Sequence, residues 1–143
     1  MERSKTTPDA FIATLPEGAR EDIATLDTEI SSVMSGLERT LWEGVFWGGT
    51  TQSIIGYGAY RYKGRSGGEG EWFVVGLAAQ KNHLSLYVNA TDDGQYLGKV
   101  YAPRLGKVKA GIATLQLKRA SDIDLTVLRE MVGRARELAP PSE

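Results

Sequence analysis

The spacing of hydrophobic residues changes near the middle of this chain, from a continuous apolar run to an alternating pattern. The almost unbroken apolar run at residues 72–79 is typical of a central strand that is buried on both faces. After a short polar connection, residues 83–90 alternate: Leu84, Leu86 and Val88 fall on one side, and the intervening positions form a wetter face. These two segments predict a β-hairpin around which the rest of the chain is arranged.

Three further segments have the composition of strands, namely residues 41–47, 54–63 and 112–118. In the second of them Gly56 and Gly58 are two positions apart, so we expect them to point to the same face and to let another group approach closely. The glycine-rich segment at residues 63–70 lacks the spacing of a phosphate-binding loop and lies between strands, which predicts a simple hairpin loop.

Helical patterns occupy the N-terminal part of the chain. Thr7, followed by a proline, predicts a first helix at residues 8–14. Thr14 and Glu17 have the spacing of a capping box, which predicts a second helix that ends near Met34. The predicted buried stripe of this second helix is Ala19, Ile23, Leu26, Ile30, Val33 and Met34.

The C-terminal part of the chain contains two more helical patterns. A weak pattern at residues 94–105 should be stopped by Pro103. A stronger one opens at Ser121 or Asp122 and ends before Pro140, and both Asp122 and Asp124 are expected to cap it.

This order of elements predicts an α+β fold. Short connections between strands favour a mainly antiparallel sheet of about five strands, with the N- and C-terminal helices packed on one face and the other face partly open. We expect a single domain over residues 1–143, with flexible ends at residues 1–7 and 139–143.

Composition narrows the function classes. Apolar residues make up 41% and charged residues 24% of the chain, which is ordinary for a globular domain. The absence of cysteine excludes disulfides, thiolate nucleophiles and cysteine-based metal sites. No segment approaches the roughly 20 apolar residues of a membrane helix. The expectation is therefore a soluble, cytoplasmic protein without a membrane partner.

Charge is balanced overall but unevenly distributed. The formal net charge is −1, so no nucleic-acid partner is expected. Residues 9–43 contain eight acids and two bases, whereas residues 94–121 contain six bases and no acid. A basic region of one copy could contact an acidic region of another, so a homodimer is compatible with the sequence.

Three stretches together resemble a known family: SIIGYGAYRYKGRSGGEGEWFVVGLAAQKNHLSLYV, LGKVKAG and DIDLTVLREMV. They resemble the YdhG-like domains, domain-of-unknown-function family 1801, over roughly residues 8–136. The resemblance implies a frataxin-like α+β domain, and a member of the family is described as an intracellular iron chaperone. The chain departs from the family pattern at Ile112 and Thr114, where lysine and cysteine are frequent.

The acidic second helix carries the candidate metal ligands Glu17, Glu21, Asp22 and Glu29. Carboxylate oxygens suit hard divalent or ferrous ions, and a chaperone that must release its metal would use few and exposed ligands. The alternative is an ordinary solvated helix face. With the resemblance, this helix gives the first hypothesis, a non-catalytic domain that binds iron(II) weakly.

The second hypothesis is a ligand- or protein-interaction domain that uses the open, aromatic face of the sheet. Its candidate residues are Tyr60, Tyr62, His83 and Tyr87. His83 is the only histidine, so we expect neither a histidine-based catalytic triad nor a histidine-based metal site. A third candidate group, Arg104, Lys107 and Lys109, would form an anion site or simply a solvated turn.

No nucleophile with a neighbouring base and no cofactor fingerprint is found, so we do not expect an enzyme.

Overall fold

A computed structural model describes residues 2–45, 51–63 and 69–138, with the backbone alone at residues 61–63 and 69–70. The predictions for residues 46–50, for the loop at residues 64–68 and for the C-terminal end lie outside these residues. Within the described part, the α+β class and the mainly antiparallel sheet are confirmed.

The strands follow in chain order as β1 (Glu2–Arg3), β2 (Arg39–Val45), β3 (Thr51–Lys63), β4 (Glu69–Ala79), β5 (Leu84–Val88), β6 (Thr91–Asp92), β7 (Gln95–Tyr96), β8 (Lys109–Ala110) and β9 (Thr114–Leu117). Seven of them form one antiparallel sheet in the order β1-β2-β3-β4-β5-β9-β8, and β6 pairs with β7. The five longer strands of the sheet are the predicted ones. Two-residue strands such as β1 and β8 are too short to show a period.

Four helices are described: α1 (Pro8–Ala13), α2 (Glu17–Val33), α3 (Leu97–Leu105) and α4 (Leu125–Leu138), with a 3-10 turn at Ala120–Asp122. α2 and α4 contact each other and both contact β4, so helices from the two ends of the chain share one face of the sheet. Ile23, Leu26 and Ile30 of α2 are fully buried in this helix-covered core, as the stripe predicts.

The helix ends test four expectations about single residues. Thr7 caps α1 by accepting from the backbone N–H of Ala10 at 3.1 Å, and Asp124 caps α4, so both predictions are confirmed. The expectation for Asp122 is wrong, because α4 begins only at Leu125 and the Asp122 carboxylate accepts from the backbone N–H of Arg119 in the 3-10 turn. The capping box at Thr14 is wrong, because Thr14 is the C-cap of α1 and its hydroxyl donates to the carbonyl of Phe11.

Pro103 lies inside α3 and does not stop it. The proline removes the N–H that would bond to the carbonyl of Lys99. Lys99 lies at an exposed position, where water can supply the missing partner. The prediction was therefore too strict for a helix whose outer side faces solvent.

The opposite face of the sheet has its own buried cluster. This second-face cluster comprises Trp42, Ile54, Phe73, Ala78 and Tyr87, with Trp72 packed against it. All of its members come from strands. The predicted wetter face of β5 is wrong at Ser85 and Tyr87, which are 2% and 6% exposed, because neighbouring side chains cover them.

Two directly paired glycines, Gly56 and Gly76, lie beneath the rings of this cluster. A Cβ at Gly56 would come within 2.6 Å of Trp42 Nε1, and one at Gly76 within 2.5 Å of Phe73 Cε1. Gly58 has a positive φ of 73° and faces Met34 and Val74 on the helix side. The expectation that Gly56 and Gly58 share a face is therefore wrong, because the chain kinks at Gly58, where φ is positive.

The close approach over the glycines gives a first prediction. Gly76→Ala should lower the free energy of unfolding by about 1–3 kcal/mol, because the added methyl group displaces the Phe73 ring. Gly18→Ala in α2 is the matched control, since nothing lies near its Cβ, and it should leave stability unchanged or raise it by up to about 1 kcal/mol. Urea denaturation measures both, and equal effects would contradict the packing described.

Candidate functional site

The four predicted metal ligands do not come together. Asp22 accepts from Arg119 Nε at 2.7 Å, and Glu29 accepts from Arg129 at 2.5 Å. Glu17 and Glu21 are exposed on the first two turns of α2. Within the described ranges there is no group of three histidine, aspartate or glutamate side chains that could hold a metal ion.

The predicted anion-binding residues lie at and after the end of α3. Arg104 donates to Glu130 of α4 at 2.6 Å, and its guanidinium lies over the ring of Tyr101. Lys107 and Lys109 are exposed. Arg104 is thus engaged by a carboxylate, and anion binding by the two lysines stays a prediction.

The predicted ligand-face residues are divided between different surroundings. Tyr60 packs against the helix-covered core, whereas Tyr87 belongs to the second-face cluster. His83 is half-buried in the turn before β5, where its carbonyl accepts from the backbone N–H of Gln80. Tyr62 lies in β3, and its side chain is outside the described part. Of the four, Tyr87 alone is shown in the second-face cluster.

A half-buried ionic network that the sequence did not suggest joins α1, α2, β2 and β3. Arg39 donates through two nitrogens to the two carboxylate oxygens of Asp27, at 3.0 and 2.8 Å, and also reaches Asp9 at 2.9 Å. The hydroxyl of Tyr57 donates to Asp27 at 2.5 Å. The sequence does contain a signal, because Asp27 lies four positions after Ile23, beside the apolar stripe of α2.

Burial raises the pKa of Tyr57 well above its ordinary value of 10, and the nearby Asp27 carboxylate adds to this rise. Because the phenol stays protonated over a wide pH range, it is not a candidate for a general base. This network has a structural role, because it holds α1 and α2 against β2 and β3.

Neutral hydrogen-bonding groups lie beside the second-face cluster. The Ser85 hydroxyl donates to Gln80 Oε1 at 2.5 Å, and Gln80 Nε2 donates to Gln52 Oε1 at 3.2 Å and to the Tyr87 hydroxyl at 3.3 Å. We refer to Gln52, Gln80, Ser85 and Tyr87 as the amide–hydroxyl network. Gln52 and Gln80 are half-buried, so they form its outer layer.

A third arrangement lies at the β1 edge of the same sheet. The Arg3 guanidinium is bonded to both carboxylate oxygens of Glu38 and to Glu71, and it lies over the Trp42 ring at 4.6 Å. The sequence placed Arg3 in a flexible end, whereas the structure places it in β1, paired with Trp42. No spacing signal connects these residues, because they are distant in sequence.

The Trp42 indole nitrogen is the one fully buried side-chain polar atom in the described part that has no hydrogen-bond partner. The ring packs against Trp72 at 5.5 Å and edge-on against Phe73 at 6.3 Å between centroids. A buried N–H without a partner costs roughly 1–3 kcal/mol, which the packing of this ring must offset.

No protein-family model, curated protein or solved structure matches the chain. The likeness to the YdhG-like domains therefore stays an expectation. No helix among the described residues combines the length and apolar character needed to cross a bilayer.

The raised pKa of Tyr57 predicts a loss of stability in alkali. The unfolded chain releases this proton near pH 10 and the folded protein only at higher pH, so the free energy of unfolding should fall as pH rises above 10. Tyr57→Phe should make this decline shallower, by up to about 1.4 kcal/mol per pH unit. Urea denaturation of both proteins at a series of pH values from 7 to above 10 measures this decline. Parallel curves of stability against pH for the two proteins would contradict the assignment of the decline to Tyr57.

Proposed function

We propose that the chain is a non-catalytic binding domain that receives its ligand or partner on the sheet face opposite the helices. The observation that carries this proposal is the second-face cluster, an aromatic layer built from strands alone among the described residues. Half-buried Trp72, Gln52 and Gln80 lie at its outer side. Aromatic rings next to amides are the usual lining of binding sites for small organic molecules.

The chemistry of the amide–hydroxyl network indicates what such a site would accept. Its groups carry no formal charge at neutral pH and can both donate and accept hydrogen bonds. They favour an uncharged molecule with a flat apolar part and an amide or hydroxyl function. None of them is a nucleophile activated by a neighbouring base, which supports binding and not catalysis.

Iron(II) binding by α2 remains the function that the family resemblance implies. The geometry lends it no support, because two of its four ligands, Asp22 and Glu29, are engaged by arginines. A metal ion would have to displace both guanidinium groups from these carboxylates.

A titration with benzamide tests the proposed function, because this probe combines a flat ring with a neutral amide. We expect saturable NMR shifts in the side-chain amides of Gln52 and Gln80, with a dissociation constant of about 1 mM or weaker for so small a probe. Benzoate, its charged counterpart, should bind less well because no cation is present in the amide–hydroxyl network.

Gln52→Ala should weaken benzamide binding, whereas Gln95→Ala, an exposed glutamine in β7, is the matched control and should not. Shifts that spread over the whole protein, or that persist unchanged in Gln52→Ala, would contradict the proposed site.

A further inference from the structure

The Arg3 guanidinium occupies a site that is formed by residues of β2 and β4 and by Glu38, which directly precedes β2. Glu38 accepts from Arg3 Nε and Nη2 at 3.0 Å each, and Glu71 of β4 accepts from Nη2 at 2.6 Å. The face of Trp42, in β2, lies 4.6 Å from the guanidinium carbon. Two carboxylates and an aromatic face surrounding one cation are the features by which proteins recognise guanidinium groups.

Arg3 and the Trp42 ring on which it lies differ in how firmly they are held. Trp42 is only 3% exposed and packs within the second-face cluster. Arg3, in contrast, belongs to a two-residue strand at the edge of the sheet. Its backbone connection to the sheet is the pairing of Glu2 and Arg3 with β2, followed by one hydrogen bond from Ser4 to the carbonyl of Leu41.

We propose that this site recognises an arginine presented by an extended segment of a partner protein, and that Arg3 occupies the site within the free chain. The partner segment would replace β1 by pairing with β2, which is how extended peptides add to an exposed sheet edge. The inference rests on the proposed function, since the site borders the same aromatic layer, and it names the kind of partner.

Arginine fits this site better than lysine does. Its planar fork matches the two oxygens of Glu38 while a further N–H reaches Glu71, and its flat face can lie on Trp42. An ammonium group is a compact point charge that cannot make the same paired contact. A partner's lysine should therefore bind clearly more weakly than its arginine.

Because Arg3 occupies the site from within the same chain, it competes at a high effective concentration. A short connection to the same molecule gives effective concentrations in the millimolar range. Removing the Arg3 side chain from the full-length protein should therefore raise the affinity for an added peptide by about tenfold.

The experiment uses full-length Arg3→Ala and a synthetic peptide with the sequence of residues 1–7, MERSKTT. Two further peptides replace its arginine by lysine or by alanine. Titrations follow the indole N–H signal of Trp42 by NMR. We expect the arginine peptide to shift this signal, the lysine peptide to bind at least about fivefold more weakly, and the alanine peptide not to bind.

Glu71→Gln in the Arg3→Ala background should weaken the arginine peptide by about fivefold, since it removes one charge-assisted contact. Glu130→Gln, an exposed glutamate on α4, is the matched control and should leave binding unchanged. Unchanged circular dichroism confirms that each variant is folded.

Equal binding of the arginine and alanine peptides, or no shift of Trp42 with millimolar arginine peptide, would overturn the inference. Binding of benzamide at Gln52 and Gln80 does not depend on this edge, so the proposed function would survive that result. If neither the arginine peptide nor benzamide binds, the second face of the sheet is not a binding surface.

Discussion

The structure depends on the pairing of β3 with β4 at the centre of a sheet that must be dry on both faces. Phe73 and Leu77 of β4 are fully buried, although they point to opposite sides. The helices α2 and α4 cover one side. On the other side the rings of Trp42 and Phe73 cover the sheet themselves, which requires glycine at positions 56 and 76.

This arrangement is the structural basis of the binding role proposed for the second face. On one side the helices α2 and α4 lie over the sheet, whereas on the other side half-buried groups such as Trp72 and Gln80 remain at the surface. The ionic network of Asp27, Arg39 and Tyr57 serves the opposite purpose, because it fastens α2 to β2 and β3. Its protonated phenol and its charged groups are engaged with one another.

The sequence predicted the long elements because their apolar periods are clear: the run at residues 72–79, the alternation at Leu84, Leu86 and Val88, and the stripe of α2. It did not predict contacts that depend on distant parts of the chain. The bonds of Asp22 to Arg119 and of Glu29 to Arg129 span about a hundred positions, and they engage carboxylates that looked free.

The same limitation applies to the candidate sites. Arg3 lies in a two-residue strand, too short for any period to reveal, and its partners Glu38 and Glu71 look like ordinary surface acids in the sequence. The kink at Gly58 turns Gly56 and Gly58 to opposite faces, which alternation alone cannot anticipate. Alternation alone likewise placed Tyr60 and Tyr87 on one surface, although they pack in different clusters.

The environment of the Trp42 indole in solution tests the central claim most directly, namely that the second face is sealed by rings lying over glycines. In a nitrogen-edited NOE experiment, the indole N–H should show contacts to the α-protons of Gly56 and to the Phe73 ring, and it should exchange slowly with solvent. An indole that exchanges as fast as an exposed tryptophan and lacks these contacts would contradict the account.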